Sequence, residues 1–302
     1  MTAPLIALAT CEELPDLDPD DRLLADALRA LDAEVAAPVW DDPAVEWGAF
    51  DLVLVRSPWD YHLKRAAFVA WAKEVAGVTA LRNPADVIGW NTDKTYLRTL
   101  AERGVETVPT IWLPHGEPAP ALAELLAERG WAGREAIVKP TIGLGSSGLM
   151  RVPAGDPAGD GAAHLRGLLA DGDAMVQPFL PSLEREGELS LLFCDGELSH
   201  AVRKRPPAGE FRVQPNFGAV AEAARPTAEQ VELARRTLAA ASDVPPLYGR
   251  VDLVAGDDDQ PLVMELELVE PTLYLAAAPG AAERFARAVL DAARAAAAAA
   301  QA

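Results

Sequence analysis

Residues 137–152 read Ile-Val-Lys-Pro-Thr-Ile-Gly-Leu-Gly-Ser-Ser-Gly-Leu-Met-Arg-Val, and the fold turns on what kind of glycine loop they contain. Positions 143–148 match the dinucleotide fingerprint G-x-G-x-x-G letter for letter. That fingerprint needs a helix opening at its third glycine, so that the helix amides meet a pyrophosphate, and an acidic residue ~20 positions later at a strand end. After Gly148 the chain instead runs Leu-Met-Arg-Val-Pro, a short strand stopped by proline. A Walker loop fails too, because Leu149 stands where its lysine belongs. What remains is a glycine turn between two strands, with Lys139 four residues ahead of Gly143. Backbone at Gly143, Gly145 and Gly148 approaches phosphate oxygens without intervening β-carbons, and Ser146 and Ser147 add hydroxyl donors. A lid over phosphates and a flexible surface hairpin both satisfy these residues taken alone.

Downstream the pattern turns antiparallel. Ala174–Phe179 reads as a strand ending in Pro-Phe-Leu-Pro, a hinge-like sequence. From Glu188, ELSLLFC, the turn Asp195-Gly196 and ELSHAVRKR give a hairpin, and Thr227 with Gln230 forms a capping box for a helix to about Ser242. A second hairpin follows, YGRVDLVA and PLVMELELV around GDDDQ. In its second strand Glu265 and Glu267 leave the same face, and counting back through the turn brings Asp252 opposite position 264 to within about one residue. Three carboxylates that close repel unless protonated or bridged by a cation. Oxygen ligands of this kind suit magnesium, which draws its remaining ligands from nucleotide phosphates; an ordinary solvated strand face is the alternative. Arg203, Lys204, Arg205, Arg212 and Arg250 supply local positive charge of the sort that holds a transferring phosphoryl group, although a charge run is also what a solvated face presents.

Upstream, residues 4–10 form a buried-looking strand, Asp18-Pro19 an N-cap and first helical position, Asp20–Ala33 a one-faced helix, and Asp51–Val55 another buried strand. Parallel α/β sheets gather ligands at the carboxyl ends of their strands, which marks Cys11 and Arg56, Ser57, Trp59, Asp60 and Tyr61 as substrate-side residues. Packing roles for Trp59 and Tyr61 and a capping role for Asp60 fit equally. Further expectations are a helix from Thr92 to Arg103, a strand at 108–112, a helix near 119–129, a loop over 153–161, and a C-terminal helix from about Ala281 ending in a frayed alanine tail.

The 302 residues carry 27 Lys plus Arg against 46 Asp plus Glu, a net charge of −19. That charge repels phosphate backbones and removes the usual driving force for nucleic-acid binding. Two cysteines far apart, with no metal-ligand spacing, read as reduced thiols of a cytoplasmic protein. No apolar stretch reaches the ~18 residues that a bilayer span needs, and the N-terminus lacks the basic flank of an export signal.

Taken in order, these elements resemble the ATP-grasp superfamily, which includes glutathione synthetase and D-alanine:D-alanine ligase. The match spans roughly Asn91 to Thr272. Asn-Thr-Asp-Lys94 and Ile-Val-Lys139-Pro resemble the two phosphate lysines, and Met175–Leu180 the hinge that borders adenine, which implies backbone hydrogen bonds from Gln177 and Phe179. By the same resemblance Glu184 is a ribose ligand, Arg203, Lys204 and Arg212 are catalytic phosphate-side cations, and Asp252, Glu265 and Glu267 bind metal. Glutathione synthetase-like members usually carry Glu-x-Asn where this chain has Glu265-x-Glu267. The implied fold is α/β (α+β): a small parallel α/β substrate-side domain (1–91), a lid subdomain (92–178) and an antiparallel catalytic domain (179–302). The implied cofactors are ATP and Mg2+, the reaction conversion of a small carboxylate to an acyl phosphate for attack by nitrogen, and the resemblance leaves room for a homodimer. The RSPWDY segment and the ELELVEP ending are similar to the cyclo-ligases of cycloserine biosynthesis, which implies ring closure of O-ureido-D-serine. An intermolecular amino-acid or peptide ligase and a non-catalytic nucleotide-binding regulator are the rival readings.

Overall fold

The computed structural model describes residues 3–156 and 158–300. Its first layer is a fully parallel sheet of β1 (Leu5–Thr10), β2 (Glu34–Ala36), β3 (Leu52–Ser57) and β4 (Leu81–Arg82), in the order β2-β1-β3-β4. The apolar runs that predicted β1 and β3 are buried along their length because both faces are covered. Helix α1 (Pro19–Arg29) starts as read, with Asp18 Oδ1 accepting from Asp20 N and proline at its first position. Helix α2 (Arg65–Val78) packs Phe68, Trp71 and Val75 into the cluster that also holds Trp40 and Val55.

Asn91 to Thr95 is not the start of one long helix. Two short helices, α3 (Ala85–Asn91) and α4 (Tyr96–Glu102), flank a turn in which Asp93 Oδ1 accepts from Thr95 N and Lys94 N donates to Thr141 O. The turn presents Lys94. Next comes an antiparallel sheet, β5-β8-β6-β7, made of β5 (Ile111–Leu113), β6 (Ala136–Pro140), β7 (Met150–Val152) and β8 (Ala174–Pro178), with α5 (Leu122–Glu128) and α6 (Asp160–Asp171) packed on it. Strand β5 lies slightly later than the predicted 108–112. Strand β7 pairs with β6, Val138 opposite Met150, so the glycine segment is a hairpin turn as expected and no helix opens at Gly148. Helix α6 went unseen in the sequence because its first turn emerges from a Gly/Asp-rich stretch; Pro157 of that predicted loop lies outside the described residues. Gly161 is required there, since a β-carbon would meet Val152 Cγ2 at 2.6 Å.

The third sheet, β11-β10-β9-β12-β13, follows α7 (Ser182–Glu186) and consists of β9 (Glu188–Cys194), β10 (Glu197–Arg205), β11 (Val220–Ala223), β12 (Tyr248–Ala255) and β13 (Pro261–Glu267). Both predicted hairpins are present, Asp195 and Gly196 adopting the positive φ of a tight β-turn. Helix α8 (Ala228–Ala241) carries the predicted Thr227/Gln230 capping box. Helix α9 (Ala281–Ala300) runs further than the frayed tail expected, and Gln301 and Ala302 lie outside the described residues. Phe285, Val289 and Leu290 of α9 bury against Leu24 and Leu28 of α1 and Leu52 of β3, so the C-terminal helix covers the first sheet. Among the described residues no helix is long and apolar enough to cross a membrane.

Candidate functional site

A cavity of about 1110 Å³ opens where the three sheets face one another. The second sheet contributes Ile137, Lys139 and Gln177; the third, Lys204, Asp252, Met264, Glu265 and Glu267; the glycine turn closes one side with Gly143 to Ser147, and Asp18, Trp59 and His62 border it from the N-terminal layer.

Strand register explains the charge pattern. Glu265 lies opposite Asp252 and Glu267 opposite Arg250, so acids and an arginine share one face of β12 and β13. On β9 and β10, Lys204 lies opposite Glu188, and Asp252 opposite Ser190 on β9. Lys204 Nζ binds Glu188 and stands 3.2 Å from Asp252 Oδ2; Arg250 Nε lies 3.0 Å from Asp252 Oδ1, and its Nη2 binds Glu267. Lys94 Nζ lies 3.1 Å from Glu265 Oε1 and donates to Gly143 O at 2.8 Å, tying the glycine turn to the acidic strand. Among the described residues Lys139 enters no salt bridge. Burial pushes its ammonium down to about 8, against the pull of Glu265 and with repulsion from Lys94.

These pairs change the predicted metal site. Asp252 is 1 % exposed, and its oxygens are taken by Arg250, Lys204 and the Ser190 hydroxyl, whose Oγ donates at 2.5 Å. The repulsion that pointed to a bridging cation is relieved by side-chain cations instead, and among the described residues no group of three His, Cys, Asp or Glu is arranged to hold a metal ion. All three carboxylates line the cavity, but Glu265 and Glu267, unlike Asp252, retain partial exposure. As partly exposed oxygen donors on the cavity wall these two glutamates fit magnesium.

Other predicted residues need correction. Gly143, Gly145, Ser146 and Ser147 line the cavity, but Gly148 does not: it holds a left-handed φ of +68° against Pro140, and its carbonyl faces His164. The Ser147 amide is spent inside the turn, on Leu144 O. Arg203 is not at the cavity, because successive β10 residues alternate faces and Lys204 takes the inner one. Arg212 lines the mouth, its guanidinium 3.6 Å from the Phe217 ring centroid and paired with Glu210. Glu184 points away, held by Arg151 Nη1 at 2.6 Å. The Phe179 amide is already committed to Glu135 O, and its ring lies under Arg151; Leu180, one residue on, lines the cavity.

At the N-terminal layer, Cys11 sits in the apolar cluster with Trp40 and Phe68. Arg56 and Ser57 turn inward to Asp21, Arg56 Nε at 2.8 Å and Ser57 Oγ at 2.5 Å, because a buried guanidinium needs a carboxylate. Tyr61 is buried and does not line the cavity; its hydroxyl lies near the carboxyl of Glu270, which does. Trp59 and His62 supply the lining instead. His200 is turned toward the carbonyls of Leu273 and Tyr274. Sequence reasoning passed over Glu188: counting from the Asp195-Gly196 turn puts it opposite Arg203, and the register shift between Leu198 and His200 moves its partner to Lys204; Glu270, three residues beyond the Glu-x-Glu pair, carried no spacing signal.

Comparison with known proteins identifies what the chain resembles. Residues 6–83 match the family model "D-cycloserine synthetase DcsG, N-terminal domain", and residues 121–257 match "Prokaryotic glutathione synthetase, ATP-grasp domain". The chain is 36% identical to the cycloserine biosynthesis protein DcsG of Streptomyces lavendulae, over 95% of this chain and 98% of that one. It is 28% identical to the glutathione synthetase of Parasynechococcus marenigrum (strain WH8102), over 79% and 75%. The crystal structure of D-cycloserine synthetase DcsG superposes with a TM-score of 0.87 at 35% identity, covering 96% of this chain and 99% of that chain. The ATP-grasp ligase PsnB complexed with minimal precursor, Mg and ADP shares the fold, with a TM-score of 0.64 at 17% identity over 96% and 97%.

Proposed function

Because the chain belongs to the family of ATP-grasp ligases that includes D-cycloserine synthetase, we propose that it cyclises O-ureido-D-serine to D-cycloserine through an acyl phosphate. As a member it is an ATP-dependent carboxylate–amine ligase acting on small molecules. The observation that carries the substrate reading is that the cavity is bordered by Asp18, Trp59 and His62, all within the 6–83 segment that matches the D-cycloserine synthetase N-terminal model. The division into 1–91, 92–178 and 179–302 belongs to the same proposal, supported by the one sheet that each part contains.

In this reading the triphosphate lies between the third sheet and the glycine turn. Lys94, Lys139 and Lys204 hold its oxygens, Gly145 and Ser146 cover it, and Arg212 closes the mouth. Glu265 and Glu267 hold magnesium, which when bound neutralises phosphate charge. The substrate carboxylate attacks the γ-phosphorus and ADP leaves; the substrate's own N–O nitrogen then attacks the acyl carbon and phosphate leaves, and one water afterwards hydrolyses the N-carbamoyl group, which departs as carbon dioxide and ammonia. Closure of the turn excludes water that would hydrolyse the acyl phosphate. No protein nucleophile is required.

The test is mass-spectrometric identification of the product from ATP, magnesium and O-ureido-D-serine, with ADP counted against it. One D-cycloserine per ADP without any added amine supports the cyclo-ligase. Turnover that depends on an added amine supports the intermolecular ligase, and nucleotide binding without any product supports the regulator.

A further inference from the structure

Nearly every acid around the cavity is already engaged. Asp18 caps α1, Asp20 accepts the amides of Leu273 and Leu275, and Glu188, Asp252, Glu265 and Glu267 are each paired with lysine or arginine. Glu270 is the exception. It lines the cavity at 6 % exposure and, among the described residues, enters no salt bridge; the polar group near its carboxyl is the neutral Tyr61 hydroxyl. A carboxyl group so placed lacks the cation that buried carboxylates ordinarily acquire.

The segment carrying it is fixed. Asn83 Nδ2 donates to Leu268 O at 2.8 Å, Leu268 N donates to Asn91 Oδ1 at 2.7 Å, and the Tyr248 hydroxyl donates to Val269 O at 3.0 Å. Arg56 Nη2 donates to Pro271 O at 2.6 Å and Arg250 Nη1 to Thr272 O at 3.2 Å. Tyr61 is itself stacked on Phe68, ring centroids 4.6 Å apart. Glu270 is therefore held at the seam between the N-terminal layer and the third sheet with little freedom to swing toward the lysines.

We infer that Glu270, positioned by Tyr61, is the counter-ion for an ammonium group on the substrate, so that the enzyme selects carboxylic acids bearing an α-ammonium. This deepens the proposed function and rests on it: O-ureido-D-serine carries such a group, which the ring closure leaves untouched. Burial, with Glu267 adding repulsion, holds the Glu270 carboxyl up at about 8 without ligand, and a bound ammonium would draw it back to the ionised form.

The experiment separates carboxylate activation from ring closure. O-methyl-D-serine and 3-methoxypropanoate, which differ only by the ammonium and cannot cyclise, are offered with ATP, magnesium and hydroxylamine, and hydroxamate is measured for wild type, Glu270→Gln and Tyr61→Phe. The wild type should prefer the amino acid in kcat/KM by roughly 30-fold or more, the order of a close charge pair. Glu270→Gln should bring that preference to within about 3-fold by raising KM, and Tyr61→Phe should reduce it less, with nucleotide affinity unchanged in both. An unchanged preference in Glu270→Gln, a wild type that activates the two acids equally or activates neither, or a variant whose defect is a raised magnesium requirement would each overturn the inference. O-ureido-D-serine is cyclised in parallel: ring closure with an unaltered preference sinks the inference and spares the proposed function, whereas lost preference without ring closure does the reverse.

Discussion

Lys94 Nζ joins Glu265 Oε1 at 3.1 Å and Gly143 O at 2.8 Å, so a single ammonium from the turn between α3 and α4 bridges the acidic strand and the start of the glycine turn. Lys94→Met removes both contacts. The account expects KM for ATP to rise roughly 10-fold or more and kcat to fall by about two orders of magnitude, since a cation stabilising phosphoryl transfer is lost. Steady-state kinetics check this, with limited proteolysis at 143–148 reporting the released turn.

Lys139 sets a pH limit. Its ammonium is held down at about 8, so it is charged below that value and neutral above it. In the free enzyme kcat/KM for ATP should fall as pH rises past ~8. Lys139→Arg should flatten the fall, because a guanidinium keeps its charge. A wild-type profile level to pH ~10 would contradict this role.

Asp252 is expected to serve stability more than metal binding. Asp252→Asn leaves Arg250 and Lys204 facing each other in a buried site and should cost about 3–5 kcal/mol, the range for breaking a buried ion pair on one side. Glu265→Gln, at a partly exposed cavity position, should cost about 1 kcal/mol or less while raising the magnesium concentration needed for half-maximal rate. Denaturant unfolding and a magnesium titration of the rate measure the two effects. Equal shifts in magnesium requirement for both variants would restore Asp252 as a ligand.

Arg56 is expected to behave as a structural ion. Arg56→Met strands Asp21 and frees Pro271 O, so chemical denaturation should show a loss of about 3–5 kcal/mol. Arg56→Met with Asp21→Leu together should cost less than the two singly. Direct substrate contact would appear as a raised substrate KM at temperatures where the variant remains folded.

Local chemistry made much of this architecture readable. The Asp195-Gly196 turn, the Thr227/Gln230 box and the alternation of Glu265 and Glu267 each fix geometry over a few residues, so the two hairpins and the cavity-facing acids followed from spacing. Glycine without a following helix distinguished the turn from a dinucleotide site. Long-range pairing was not readable. Arg56 and Ser57 sit at a strand end where a ligand is expected, but Asp21, distant in sequence, folds back to meet them. Arg203 and Lys204 look equivalent in sequence until β10 alternation places one inside. Glu270 became visible only when every other acid at the cavity had been matched with its partner.

The central claim is that ATP activates a carboxylate as an acyl phosphate, and oxygen transfer tests it most directly. O-ureido-D-serine labelled with 18O in both carboxylate oxygens is turned over in unlabelled water, and the phosphate is analysed by mass spectrometry. The account predicts one 18O in each phosphate formed alongside D-cycloserine. Phosphate without label, or label found in AMP, would contradict it.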